Sequence, residues 1–265
     1  MTLFSPARLA DDIRRLGVHP GAAIMVHVSL RAIGPVQGGA ESVLDALELA
    51  VGRDGGLLMV LGAKNDWDWV NERSEHERAA LLANAEPFDA AITPAEPEVG
   101  YLAEVFRLRP GTLFTNNPEG RFAARGALAP DLLADAPWHD YYGLGSPLDR
   151  LCQLNGSVLR LGADPDTTTL LHFAEHLVPL PSKRRVRRHR RVHGPDGPEI
   201  RVVECLDDSS GIVDWSGEDY FKLILEDYLD LGHSSSGLVG NAKSELINAQ
   251  ELVDFGVRWM GAKFS

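Results

Sequence analysis

The first 61 residues alternate helical and strand patterns, and that alternation limits the chain to a layered α/β architecture. Residues 5 to 16 place Leu9, Ile13 and Leu16 on one side of a helix, which Gly17 closes as a C-cap. The run Ala22-Ala23-Ile24-Met25-Val26-His27-Val28 is apolar almost throughout, so it reads as a strand buried on both faces. Residues 41 to 52 form a second helix through Val43, Leu44, Ala46, Leu47, Leu49 and Ala50. Gly55-Gly56 then leads into another buried strand, Leu57 to Leu61. Helix, strand, helix and strand at these lengths predict an α/β layered domain.

The rest of the 265 residues reads as one domain, 1–265, with a long inserted loop near 63–98. That loop is rich in Trp, Asn, Asp, Glu and Pro, and only 73–84 within it is helical in pattern. Tyr101 to Leu108 forms a helix, and glycine and proline punctuate 110–147. The apolar run Val158-Leu159-Arg160-Leu161 precedes a small-residue turn and a helix that Asp166 or a neighbouring Thr caps. Residues 184–204 read as a hairpin turning at His193 to Pro198. Ser234-Ser235-Ser236 falls in a linker-like stretch, and helices near 217–231 and 248–262 complete the chain. Met1 to Arg15 lacks the apolar core of a signal peptide, and no later run approaches a membrane span, so a cytoplasmic location is expected. Cys152 and Cys205 have no zinc or redox spacing and read as buried free thiols, and no metal-ligand cluster is visible.

Several constellations carry chemistry. His172 and Glu175 stand three residues apart on one helical face, where a carboxylate fixes a histidine that accepts a proton. His27 to Gly39 follows a buried strand, the place where α/β sheets present ligand-binding loops, and leads into a helix near Ala40 to Ser42 that suits phosphate or pantetheine amides. Arg31 to Val36 begins like the RxxGxG/A phosphate motif, but Val36 in the sixth position breaks it. Net charge is −12, which serves solubility or marks an acidic cleft for a cation, and argues against a general nucleic-acid binder. Acidic segments comprise Asp66 and Asp68 beside Trp67 and Trp69, Glu96 and Glu98, and Asp207-Asp208 with Asp214. The run Lys183 to Arg191 reads by itself as a nucleic-acid or phosphate patch, or else as a strand face paired to the acidic body. No GxSxG elbow is present to support a serine hydrolase.

Read as GxxxDxxTxLHxAE, Gly162 to Glu175 resembles the aminoglycoside 3-N-acetyltransferase family of antibiotic N-acetyltransferases. The stretch from His27 to Gly39 (HxSLxxxGxxxGG), Gly143 to Leu148 (GxxSPL) and Gly237 to Ser244 extend the likeness from about residue 5 to the end. The resemblance implies a three-layer α/β/α fold with a central mixed sheet, distinct from the GNAT fold. It implies acetyl-CoA as co-substrate, no metal, and the 3-amino group of a cationic 2-deoxystreptamine aminoglycoside as acceptor, with antibiotic resistance as the outcome. His172 becomes the general base and Glu175 its orienting partner. Coenzyme A would meet His27, Ser29, Leu30, Arg31, Gly34, Gly38, Ser146 and Thr169, and the aminoglycoside Asp66, Glu98, Asp207 and Asp208. No membrane or nucleic-acid partner is implied, and the chain is expected as a monomer or homodimer. The alternatives are acetylation of another small-molecule amine, or a non-catalytic phosphate or nucleic-acid binder using 183–191. The family's HPxxS stretch is Asn117-Pro118-Glu119-Gly120-Arg121 here, a change that bears on substrate identity more than on the chemistry; Asp164 replaces a small residue, and 63–85 matches poorly.

Overall fold

A computed structural model describes residues 3–63 and 66–264. At its centre three parallel strands lie side by side: β1 (Ala23–Val28), flanked by β2 (Gly56–Val60) and β5 (Ser157–Leu161). Antiparallel strands extend both edges. β4 (Phe122–Gly126) pairs with β2, and β3 (Leu113–Phe114) with β4; β9 (Ala242–Asn248) pairs with β5, and β8 (Ser235–Val239) with β9. The mixed sheet thus runs β3-β4-β2-β1-β5-β9-β8. The stretch expected as a linker around Ser234–Ser236 is instead edge strand β8, bonded on one side only.

Alternation along β1 sorts the core into two layers. Ile24 and Val26 pack into one cluster with α1 (Pro6–Arg15), α3 (Gly39–Val51) and α5 (Tyr101–Leu108). Ala23 and Met25 pack into the other, with α6 (Ala129–Leu133), α7 (Pro147–Gln153), α8 (Leu171–Leu177), α9 (Tyr220–Asp230) and α10 (Ala249–Lys263). Met25, Leu44, Leu58 and Leu159 have no exposed surface, and each such side chain stabilises the sandwich by about 1.5–3 kcal/mol. The result is three-layered, α/β/α. Local signals agree with the ends of the elements: Ser5 caps α1 by accepting from Arg8 N, Pro6 opens it, and Gly17 follows at φ +113.

The inserted segment is more ordered than its composition predicts. It holds a 3-10 turn at Asp68–Glu72, α4 (Glu75–Leu82) with a Ser74–Glu77 capping box, and a second 3-10 turn at Pro97–Val99. Val70, Leu82 and Ala85 make a small core of their own. Phe88 then docks this segment on a hairpin of β6 (Arg185–Gly194) and β7 (Gly197–Leu206) through Phe88 N to Arg191 O at 2.8 Å and His193 N to Phe88 O at 3.1 Å.

That hairpin carries the basic run. Arg188 and Arg190 turn inward and are buried. Arg190 donates to Glu119 and to Asp68, and Arg188 donates to Asp208 at 2.8 Å and to the Tyr141 hydroxyl at 3.1 Å. Arg184, Arg185 and Arg187 pair with Asp214, Asp140 and Glu204. Five of these arginines thus meet the protein's own carboxylates.

Candidate active site

The carboxyl ends of β1, β2 and β5 open into a cleft of about 740 Å³. The chain leaves β1 through α3 on one face and enters β5 from α7 on the other. The crevice therefore lies where the connections diverge, the usual ligand position in open α/β sheets. Its walls include the short turn of helix α2 (Leu30–Ile33), Glu98 to Leu102, and Ala163 to Thr169. Ser29 caps α2 by accepting from Ala32 N at 3.4 Å. Gly162, at φ +63, forms the turn after β5, where a Cβ would come 2.5 Å from that of Ala32. His27 is 7% exposed, and its Nε2 has no hydrogen-bond partner among the described residues. Burial first, then the Arg160 charge, pushes its pKa down to about 3, so the ring is neutral.

Of the residues expected at coenzyme A, His27, Ser29, Leu30, Arg31 and Thr169 line this cleft, and Glu98 joins them rather than the aminoglycoside side. Gly34, Gly38 and Ser146 are not among the cleft's lining residues. Gly34 and Gly38, at φ +90 and +76, shape the chain, and a Cβ there would come within 2.5 Å of Asn241 Nδ2 and of Ser42 Oγ, respectively. Ser146 has no exposed surface, and its hydroxyl accepts from Asp149 N at 3.3 Å as the N-cap of α7.

His172 sits in the first turn of α8. The helix is capped by no side chain: Leu170 holds the N-cap position, and Pro165–Thr167 form a separate 3-10 turn, so the expected Asp166 or Thr cap is not made. His172 Nδ1 meets Glu175 Oε2 at 2.7 Å, and the Tyr220 hydroxyl donates to the other oxygen of this carboxylate. Lys183 Nζ closes the helix by donating to the Glu175 and His176 carbonyls, each at 2.8 Å. The imidazole lies flat on Tyr142, ring centres 4.7 Å apart, with the edge of Phe221 against it at 4.7 Å. A carboxylate acceptor assigns the proton to Nδ1, which leaves the Nε2 lone pair for a substrate. Burial alone would lower the pKa, but the Glu175 charge and hydrogen bond, with Asp208 and Asp219, outweigh it and hold His172 above 6.5. His176, one turn on, is instead held down at about 4 by burial, against the pull of Asp140.

His172 also lines a second pocket, about 330 Å³, bounded by Asp166, Asp208, Trp215, Glu218, Asp219 and Phe221. Asp166 borders both pocket and cleft, so the two are neighbours. Burial pushes the Asp208 pKa up, but Arg188, His172 and the Tyr141 hydroxyl at 2.6 Å outweigh it, and Asp208 is an anion. Asp207 is not on this wall: its carboxylate accepts from Ser209 N at 3.1 Å and Ser210 N at 2.8 Å, which holds the loop in an Asx turn. Asp66 lies apart, with Trp67, Phe88 and Arg190 around a cavity of about 180 Å³. Tyr220, Tyr142, Glu218 and Asp219 are site residues that the sequence did not single out, because no local spacing links them to His172. The replaced HPxxS stretch is structural here. Glu119 is buried between Arg190 and Arg188, and burial outweighs both cations to raise its pKa to about 7. Arg121 donates to the carbonyls of Thr93 and Pro94 at 2.9 and 2.8 Å.

Fold and site together place a histidine–carboxylate pair in an acidic pocket beside a larger cleft at the carboxyl ends of the strands. Comparison with known proteins specifies it further. The family described as aminoglycoside 3-N-acetyltransferase matches residues 25–261. Aminoglycoside N(3)-acetyltransferase VII of Streptomyces paromomycinus is 38% identical, over 97% of this chain and 91% of the relative. Aminoglycoside N(3)-acetyltransferase III of Serratia marcescens is 38% identical, over 97% of both. Among solved structures, AAC-IIIb in binary complex with CoASH superposes with a TM-score of 0.93 at 35% identity, covering 99% of this chain and 98% of the other. Sisomicin-bound AAC-VIa gives 0.89 at 34%, covering 99% of each. The chain belongs to the aminoglycoside 3-N-acetyltransferase family. It is an acyltransferase with acetyl-CoA as co-substrate. Among the described residues no helix is long and apolar enough to cross a membrane.

Proposed function

We propose that this chain transfers the acetyl group of acetyl-CoA to the 3-amino group of a 2-deoxystreptamine aminoglycoside, in the cytoplasm, and thereby confers resistance. The observation that carries the reading is the Tyr220–Glu175–His172 chain, whose imidazole lines a pocket walled by Asp166, Asp208, Glu218 and Asp219. Four carboxylates and the Trp215 ring suit a polycation with flat sugar rings. The neighbouring cleft, with His27, Ser29, Leu30, Arg31 and Thr169, is the place for coenzyme A.

In this mechanism both substrates are held together, which converts a bimolecular reaction into one between aligned neighbours. His172 Nε2 accepts a proton from the amine as the nitrogen attacks the thioester carbonyl. The C–N bond forms, the C–S bond breaks, and the imidazolium returns its proton to the departing coenzyme A thiolate. Glu175 keeps Nδ1 protonated and balances the imidazolium charge, and Tyr220 fixes Glu175.

The test measures thiol release from acetyl-CoA across a panel of aminoglycosides, for wild type and His172→Ala. Turnover that the variant loses while still binding coenzyme A supports the base and the substrate class together. Coenzyme A binding without turnover on any aminoglycoside redirects the acceptor to other amines. Failure to bind coenzyme A refutes the reading.

A further inference from the structure

Behind the catalytic helix, three side chains from distant parts of the chain converge. The His176 ring stands between Cys205 of β7 and Asp140 of the loop that precedes α7. Its Nε2 is 3.6 Å from Cys205 Sγ, and its Nδ1 is 3.8 Å from Asp140 Oδ1. One ligand atom from each residue lies within 4.8 Å of the other two. We propose that Asp140, His176 and Cys205 form a binding site for one thiophilic divalent cation of the zinc type, separate from the acyl-transfer machinery and not required by it.

Thiolate, imidazole and carboxylate are the ligand types that zinc takes, and three protein ligands leave a fourth position for water. Zinc bonds of about 2.0–2.3 Å place tetrahedral ligand atoms about 3.5 Å apart. The nitrogen–sulfur pair already fits, and Asp140 closes the set by moving about 1 Å. Its side chain is 43% exposed, and Arg185 holds only Oδ1, at 2.8 Å, so the second carboxylate oxygen and a solvent path are available.

The backbone holds this arrangement in place. Asp140 adopts φ +48, a conformation that costs a non-glycine residue energy and persists only where its surroundings fix it. Here Asp140 N donates to Glu204 O at 2.8 Å, and Gly143 N donates to Asp140 O at 2.6 Å. Gly143 carries no Cβ; one built there would stand 2.9 Å from His176 Nδ1. Binding breaks the Cys205 S–H bond as the sulfur–metal bond forms, with the proton leaving to solvent and no change of oxidation state. A thiolate and a carboxylate then offset the two charges of the ion. Lys183 and Arg185 flank the site and oppose any cation, so hard ions such as magnesium, which gain nothing from sulfur, are disfavoured.

The full-length protein is titrated with Co2+ alone, followed by its visible ligand-field bands and the near-ultraviolet sulfur-to-metal band, and Zn2+ is added to displace it. One equivalent is expected, with a sulfur band and about one proton released. Cys205→Ser is expected to abolish that band, His176→Gln to weaken binding more than about tenfold, and Cys152→Ser to change neither. Cobalt bound without a sulfur band, or a band that survives Cys205→Ser, overturns the assignment. Should Cys205→Ser lose its fold by circular dichroism, His176→Gln decides: unchanged affinity refutes the site.

Discussion

Glu175→Gln is the sharpest probe of the catalytic dyad, because it removes a charge while keeping the shape of a side chain that is 2% exposed. His172 stands above 6.5 only because Glu175, helped by Asp208 and Asp219, outweighs the burial of the ring. Without that carboxylate, burial prevails and the imidazole pKa drops below 6.5. Two effects follow. The acid limb of the pH–kcat/KM profile, which requires neutral His172, moves to lower pH. The plateau also falls, since the amide no longer fixes the tautomer or balances the imidazolium. Loss of a general base or of its orientation costs about 10²- to 10⁴-fold, roughly 3–5 kcal/mol of transition-state stabilisation. The assay is steady-state thiol release from pH 5.5 to 9 on one aminoglycoside; the amine's own titration is common to both proteins and cancels in the comparison. Tyr220→Phe removes one hydrogen bond to a charged group, worth about 1.5–3 kcal/mol, and is expected to show a smaller loss in the same direction. A Glu175→Gln plateau within threefold of wild type, with an unmoved acid limb, would falsify the dyad.

Further predictions concern binding, stability and backbone. Asp208→Asn is expected to raise the KM for aminoglycoside about tenfold or more and leave that for acetyl-CoA unchanged, since Asp208 borders the acidic pocket and not the cleft. His27 and His176 stay neutral in the fold down to about 3 and about 4, whereas both protonate near 6.5 in the unfolded chain. As pH falls from 6.5 towards 4 the unfolded state therefore binds up to two more protons. These two histidines together lower stability in urea melts by up to about 2.8 kcal/mol per pH unit, Glu119, raised to about 7, offsets up to about 1.4 of that, and His27→Gln should make the slope shallower by about 1.4 kcal/mol per pH unit. His172 has the opposite sign: its raised pKa contributes stability in full below 6.5, and this is lost as pH rises through the folded value. Gly162→Ala should destabilise the protein by about 1–3 kcal/mol and weaken coenzyme A binding, because the turn needs φ +63 and the space is taken by Ala32; a thermal melt and a binding titration check both.

The parts of the fold that the sequence revealed are those where one local pattern decides the outcome. β1 is apolar at every residue but His27 because helices cover both of its faces, and α5 falls on Tyr101–Leu108 because its apolar residues recur at helical spacing. β8 escaped because an edge strand of Ser, Gly and Leu has no buried alternation to display. Arg188 and Arg190 face inward at strand period, yet Arg187 and Arg191 beside them erase the contrast that would have marked the buried face. Ser146 and Asp207 illustrate a second difficulty. Short polar side chains that bind ligands and those that cap helices or turns look alike until the backbone is known. His172 and Glu175 were legible because one helical turn brings them together, whereas Tyr220 reaches the same carboxylate across 45 residues.

The inward arginines carry a consequence for how substrate range changes within such a chain. Asp68 on the inserted segment, Glu119 before β4, and Asp208 beside the base are joined through the buried Arg190 and Arg188 into one ladder of alternating charge, open to solvent at Asp68. Removing the buried Glu119 or the nearly buried Asp208 singly would leave a buried arginine short of a partner, at up to about 3–5 kcal/mol. Variation in the acceptor pocket is thus channelled into exchanges of the segment and the hairpin as a matched cassette, so a graft of either one between relatives inherits function only when the other travels with it.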